Sequence, residues 1–169
     1  MDTGWVTRVA FLDLTKAFDT VNHKIVLNKL SALGVVDAAS DWSNSVLANR
    51  SQVSCCNNAM SNQEPVSIGV AQGSILGPLL FVIYMNDLPD VLEQCSVTLY
   101  ADNTVLSFNS KPIAKIELKL NSDLNNVKNW MQTNQLTLKI KKSKFMLIPV
   151  LTVLESLSKK DGGGYENVT

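Results

Sequence analysis

Little in this chain suggests a disulfide scaffold, a secreted protein or a membrane span. There are three cysteines, Cys55, Cys56 and Cys95. The number is odd, two are adjacent, and no pair has the C-x-x-C spacing. A disulfide framework or a zinc site is therefore not expected, and a reducing compartment is favoured. The N-terminus lacks the basic-then-apolar pattern of a signal peptide, so the expected location is intracellular, nucleus or cytoplasm, and not secreted. The longest apolar run, Ile75 to Met85, is interrupted by Gly77 and Pro78 and is far short of the ~20 residues a membrane helix needs. No membrane partner is expected. Histidine occurs once, at His23, close to Asp19, which suggests a structural role, and Asp19 itself is expected to cap or orient the following helix.

Net charge is also absent, at formally +0, so total composition does not indicate a nucleic-acid binder. Its distribution is uneven. Residues 1–110 carry 5 Lys/Arg against 10 Asp/Glu, and residues 111–169 carry 10 against 5. An acidic front and a basic rear suit a chain that holds cations in one place and phosphates in another. With 169 residues and 46% hydrophobic content, a single soluble domain is the natural expectation.

Val6 to Leu12 is apolar and β-branched, as in a buried strand. Apolar residues at 21, 25, 26, 30 and 33 predict a helix closed by Gly34, and Ala38 to Ala48 predicts a second. Short strands are expected over Gln52–Cys56 and Val66–Val70, separated by a turn at Asn57-Asn58. Ala71-Gln72-Gly73-Ser74 reads as a loop into a helix running to about Leu88, with Pro78 near its first turn. Val97–Tyr100 and Thr104–Phe108 flank Ala101-Asp102-Asn103 as a hairpin. Apolar positions at 113, 116, 120, 124, 127 and 130–131 predict a long helix, and Phe145–Val150 a last strand. Strands and helices mix without strict alternation, so the class is α+β.

The chemistry lies at two strand ends. Asp13 closes the first apolar run and Asp102 sits in the hairpin turn. Two such carboxylates, brought side by side by a sheet, can hold two divalent cations about 4 Å apart, the arrangement used to join or cut phosphodiesters. Position 103 is Asn, where a second Asp would make a stronger site. Gly73 lets backbone approach a ligand, and Gln72 and Ser74 offer hydrogen bonds ahead of a helix start. Lys139, Lys141, Lys142 and Lys144 form a cluster suited to a phosphate backbone.

Four stretches, in order, resemble the reverse transcriptases of non-LTR (LINE-type) retrotransposons. They are Ala10-Phe11-Leu12-Asp13 through Phe18-Asp19, Gly69-Val70-Ala71-Gln72-Gly73-Ser74, Tyr100-Ala101-Asp102-Asn103, and Asn134 through Lys144. The resemblance covers about Val6 to Ile148. It implies a right-hand polymerase palm over 1–150, with a catalytic β-hairpin and helices packed on one face of an antiparallel sheet. Fingers and thumb are expected to be largely absent and 151–169 to form a partly disordered tail, as in a truncated element copy. Asp13 and Asp102 would hold Mg²⁺, with Mn²⁺ as the substitute, and Asn103 would stand where the family has its second turn aspartate. Phe18 would be the gate against a ribose 2′-hydroxyl. Gln72, Gly73 and Ser74 would line the nucleotide site, and Lys142 would serve the leaving pyrophosphate. The partners implied are an RNA template, a DNA primer and deoxynucleoside triphosphates. Asn103 points to weak or absent polymerisation. The rival expectation is a non-catalytic nucleic-acid- or protein-binding domain that keeps the palm fold.

Overall fold

The first strand decides how the rest assembles. In the computed structural model, which describes residues 5–149, β1 (Val6–Asp13) has its alternate residues Val6, Ala10 and Leu12 buried. Period-two alternation turns Phe11 and Asp13 to the opposite face, where Phe11 is exposed. β1 lies inside a four-stranded antiparallel sheet of order β6-β7-β1-β8, with β6 at Ser96–Tyr100, β7 at Asn103–Ser110 and β8 at Lys144–Pro149.

Helices close one face of this sheet. They are α1 (His23–Ala32), α2 (Asp37–Leu47), α3 (Leu76–Met85) and α4 (Ile113–Thr133). α4 packs along β7, and α1 packs on α2 and α3. Leu12, Leu106, Phe81, Tyr84 and Leu120 meet in one core. The other face stays open, with Tyr100 79% exposed beside the hairpin turn. This is the α+β layout expected from the sequence.

Two small ribbons stand apart. β2 (Arg50–Gln52) pairs with β5 (Glu64–Val66), and β3 (Cys55–Cys56) pairs with β4 (Ala59–Met60) through left-handed Asn57 and Asn58. The strand expected over Gln52–Cys56 is thus two strands. The strand expected over Val66–Val70 ends at Val66, leaving only an isolated bridge from Ile68 to Asn22. The reason is Gly69, whose φ of +87° breaks the extended run. α3 stops at Met85 rather than near Leu88, and Pro89 opens a separate 3₁₀ turn. The expectations for 151–169 lie outside the described residues.

Gly69 also fixes the distance between two segments. A Cβ there would stand 2.8 Å from the Asp19 carbonyl oxygen, against backbone that cannot swing away. Gly69→Ala combines that clash with left-handed strain and is expected to cost about 2–4 kcal/mol. Urea unfolding of the two forms measures it, and equal midpoints would show that the segments separate freely.

α4 hides a charge on its apolar stripe. Asp123 is fully buried and accepts three backbone N–H bonds, from Glu93 at 3.1 Å, Gln94 at 2.9 Å and Cys95 at 2.6 Å. Burial pushes its pKa up, but the hydrogen bonds from Cys95, Glu93 and Gln94 outweigh it and hold the carboxyl below the usual range. Burial first, and then the hydrogen bond to and the charge of Asp123, push the Cys95 thiol up to about 12. Asp123 therefore anchors the loop that feeds β6. Asp123→Ala, which leaves three donors unpaired, should cost about 2–4 kcal/mol. A depressed folded pKa gives stability that is complete above the unfolded value of about 3.9 and lost as pH falls through the lower folded value. Unfolding free energy followed from pH 6 down to pH 2 should show this loss in the unmodified protein and a shallower one in Asp123→Asn.

Candidate functional site

The sheet register decides which residue faces Asp13. β1 and β7 pair antiparallel, with Leu12 opposite Thr104 and Asp13 opposite Asn103. Residues directly opposite in an antiparallel pair share a face, with Cβ atoms roughly 4.5–5.5 Å apart. Asp13 and Asn103 therefore stand side by side on the open face. Tyr100 pairs with Asn103, so the turn consists of Ala101 and Asp102 alone. It is one residue shorter than the sequence suggested. Ala101 takes φ +50°, an uncommon conformation for a residue with a Cβ, and Asp102 follows at the tip.

The lysine-rich segment reaches the same place. Leu138 bridges Leu14, and the Lys139 N–H donates to the Asp13 carbonyl at 2.7 Å. A 3₁₀ turn over Ile140–Lys142 then brings the Lys142 Nζ to 4.0 Å from Asp13 Oδ2. Two stretches far apart in sequence thus meet at one carboxylate. Asp13 is partly covered and Lys142 is exposed, so the pair is a screened contact rather than a buried bridge.

A second cluster joins residues 18–23 to residues 69–74. Val70 N–H donates to the Phe18 carbonyl and Gly69 N–H to the Val21 carbonyl, which lays the Gly69–Ser74 stretch along residues 18–21. Gln72 Nε2 donates to Asp19 Oδ1 at 2.7 Å. Asp19 was expected to cap or orient the following helix. The cap is instead Asn22, whose Oδ1 accepts from the N–H groups of Lys24 and Ile25, and Asp19 orients Gln72. His23 Nε2 donates to the Gly69 carbonyl at 2.7 Å, the structural part expected of it. Gln72 and Ser74 line a cavity of about 710 Å³, whose wall also carries Asp19, Arg50 and Gly69. Gly73 has φ +83° and open space where a Cβ would go, so backbone is accessible there.

Two expected contacts are already engaged within the protein. The Ser74 hydroxyl donates to the Ala71 carbonyl at 2.7 Å and accepts from the Gly77 N–H at 2.9 Å, capping the start of α3. Phe18 stacks on the buried Phe81, with ring centroids 4.6 Å apart and planes at 33°. It is partly buried and packs against the core.

Asp13 and Asp102 supply carboxylate oxygens and Asn103 an amide oxygen, all hard donors of the kind Mg²⁺ takes. Among the described residues no group of three His, Cys, Asp or Glu side chains forms a metal-binding cluster. The donor set suits a hard divalent cation held by few protein ligands, with one negative charge fewer than Asp at 103 would give. Among the described residues no helix is long and apolar enough to cross a membrane.

Sequence reasoning missed Asp123, Tyr84 and Asn22. Asn22 had a readable signal, a capping residue just before an apolar helix. Asp123 had one too, since it falls on the stripe marked by 116, 120, 127 and 130.

Comparison with known proteins is consistent with this geometry. The sequence profile described as "Reverse transcriptase (RNA-dependent DNA polymerase)" matches residues 2–165. The chain is 33% identical over 85 residues to the Retrovirus-related Pol polyprotein from type-1 retrotransposable element R2 of Popillia japonica, covering 50% of this chain and 14% of that one. It is 30% identical over 130 residues to the RNA-directed DNA polymerase from mobile element jockey of Drosophila melanogaster, covering 73% and 14%. It is 34% identical over 98 residues to the probable RNA-directed DNA polymerase from transposon X-element of the same fly, covering 58% and 10%. The chain thus spans a small part of each relative. Among solved structures, apo telomerase from Candida tropicalis, truncated from its C-terminal domain, superposes with a TM-score of 0.61 at 11% identity. The match covers 84% of this chain and 31% of that one, and at this identity it speaks to the fold alone.

Proposed function

The chain belongs to the reverse transcriptase (RNA-dependent DNA polymerase) family, and on that premise we propose that the open sheet face is a nucleotidyl-transfer site weakened by Asn103. The observation that carries the proposal is the meeting of Asp13, Asn103 and Lys142 on that face. We assign the palm to residues 1–150. The substrates are a DNA primer, an RNA template and deoxynucleoside triphosphates.

Asp13 and Asp102 would hold Mg²⁺, or Mn²⁺ in its place, with the Asn103 amide oxygen beside them. Bound there, the cation supplies charge stabilisation to the phosphoryl oxygens and lowers the pKa of the attacking hydroxyl. The primer 3′-hydroxyl gives up its proton to water, and its oxygen bonds to the α-phosphorus as the bond to pyrophosphate breaks. Lys142 neutralises or protonates that leaving group. Gln72, oriented by Asp19, and the accessible backbone at Gly73 support the nucleotide, with Ser74 shaping the loop behind them. Phe18, fixed on Phe81, is the flat surface that would exclude a 2′-hydroxyl.

Asn103 favours a second reading, a palm that binds nucleic acid with little chemistry. Single-nucleotide addition to a labelled primer on an RNA template separates the two. In saturating Mg²⁺, Asn103→Asp should add a nucleotide at least about ten times faster than the unmodified chain, from the electrostatic gain of one carboxylate. Asp13→Asn should fall to background. Equal rates for the unmodified chain and Asn103→Asp would remove Asn103 as the attenuating residue. Rates unaffected by Asp13→Asn would remove the site.

A further inference from the structure

The segment that carries Lys142 to Asp13 is held at its root by a residue in the core. Tyr84 is fully buried on α3. Its O–H donates to the Asn134 carbonyl at 2.5 Å, and its oxygen accepts the Asn22 N–H at 3.4 Å. Burial pushes the phenol pKa up, so the hydroxyl stays a donor. The Tyr84 carbonyl is held in turn by Lys29 Nζ at 2.6 Å, and the same ammonium reaches Asp87 Oδ1 at 2.6 Å.

Asn134 caps the C-terminal end of α4, and Gln135 follows it at φ +54°. A non-glycine residue in that conformation costs of order 1 kcal/mol or more, so something must hold it. Two bonds do. Tyr84 holds Asn134, and Asn22 Nδ2 donates to Gln135 Oε1 at 2.9 Å. From this fixed corner the chain runs to the Leu138–Leu14 bridge, the Lys139–Asp13 backbone bond and the 3₁₀ turn that ends at Lys142. The direction in which the segment leaves α4 sets where Lys142 arrives.

We infer that Tyr84 is a positioning residue for the Asp13–Lys142 pair, acting through the corner at Asn134-Gln135. It touches neither member of the pair. The geometry stands by itself, while its consequence for nucleotide chemistry rests on the proposed function. If the corner loosens, Lys142 should leave Asp13 while the core remains intact.

Lysine side chains carrying ¹³C-dimethyl groups report this by NMR. The Lys142 signal is the one lost in Lys142→Arg, and its Asp13 contact is read as the shift on Asp13→Asn. In Tyr84→Phe, which keeps the ring and removes the hydroxyl, the Lys142 signal should move to its Asp13→Asn position. Gln135→Ala, an exposed change that removes the second anchor, should move it the same way and serves if Tyr84→Phe does not fold. Ile116→Val, a buried change near the far end of α4, should leave the signal in place. A Lys142 signal unmoved in Tyr84→Phe, or unmoved in Gln135→Ala should Tyr84→Phe not fold, would overturn the inference. So would an equal shift in Ile116→Val, or no shift in Asp13→Asn. Mg²⁺ titration of the same samples tests the proposed function separately. Asp13→Asn without effect on Mg²⁺ would count against that reading and leave the lysine result standing.

Discussion

Replacing Lys139, Lys141, Lys142 and Lys144 together with serine is expected to weaken binding of an RNA–DNA primer–template by roughly two orders of magnitude near 0.15 M salt. Each phosphate contact contributes about 0.7–0.9 to the slope of log K against log salt, so four lost contacts lower it by about 3. All four side chains are exposed, and Lys142 lies beside Asp13. A phosphate held there would be next to the proposed cation site, where a primer end must sit. Arg50 lies at the separate cavity with Gln72 and should keep any contribution it makes. Affinity measured from 0.05 to 0.5 M salt gives both slopes. An unchanged slope would make these lysines a solvated surface with no part in binding.

Asn103→Asp is expected to tighten Mg²⁺ binding about 30- to 150-fold. The register puts residue 103 directly across from Asp13 on the exposed face. One added unit charge at ~5 Å from a 2+ ion gives roughly 2–3 kcal/mol at an effective dielectric between that of water and the protein surface. That range spans the stated fold-change. Calorimetric titration of the two forms provides the comparison. Equal affinities would mean that residue 103 does not face the ion.

The motifs could be read because each is local. A carboxylate ending a β-branched run, a glycine-bearing loop before an apolar helix and a hairpin turn are patterns within a dozen residues. The α+β class follows from such patterns. Register is not local. The residue opposite Asp13 depends on how β1 meets β7, ninety residues away, and the sequence alone did not distinguish Asp102 from Asn103 there. Ser74 looked free for a ligand because its engagement with Ala71 and Gly77 depends on how the loop closes. Asp19 looked like a helix cap because its partner Gln72 arrives from a distant loop. Tyr84 read as one more apolar position on α3. Its hydroxyl matters only once Asn22 and Asn134 converge on it. Asp123 was hidden differently, since a carboxylate on an apolar stripe makes sense only when three backbone donors from residues 93–95 are seen to meet it.

Asp13, Asp102 and Asn103 are proposed to form a divalent-cation site on the open sheet face. Paramagnetic broadening by Mn²⁺ tests it without requiring catalysis. In amide spectra of the unmodified chain, low Mn²⁺ should first erase signals of residues 12–14 and 101–104, and excess Mg²⁺ should restore them. Asp13→Asn should abolish that local loss. Broadening centred instead on Asp87, Asp90 and Glu93, or no localised broadening at all, would rule out a cation site at Asp13.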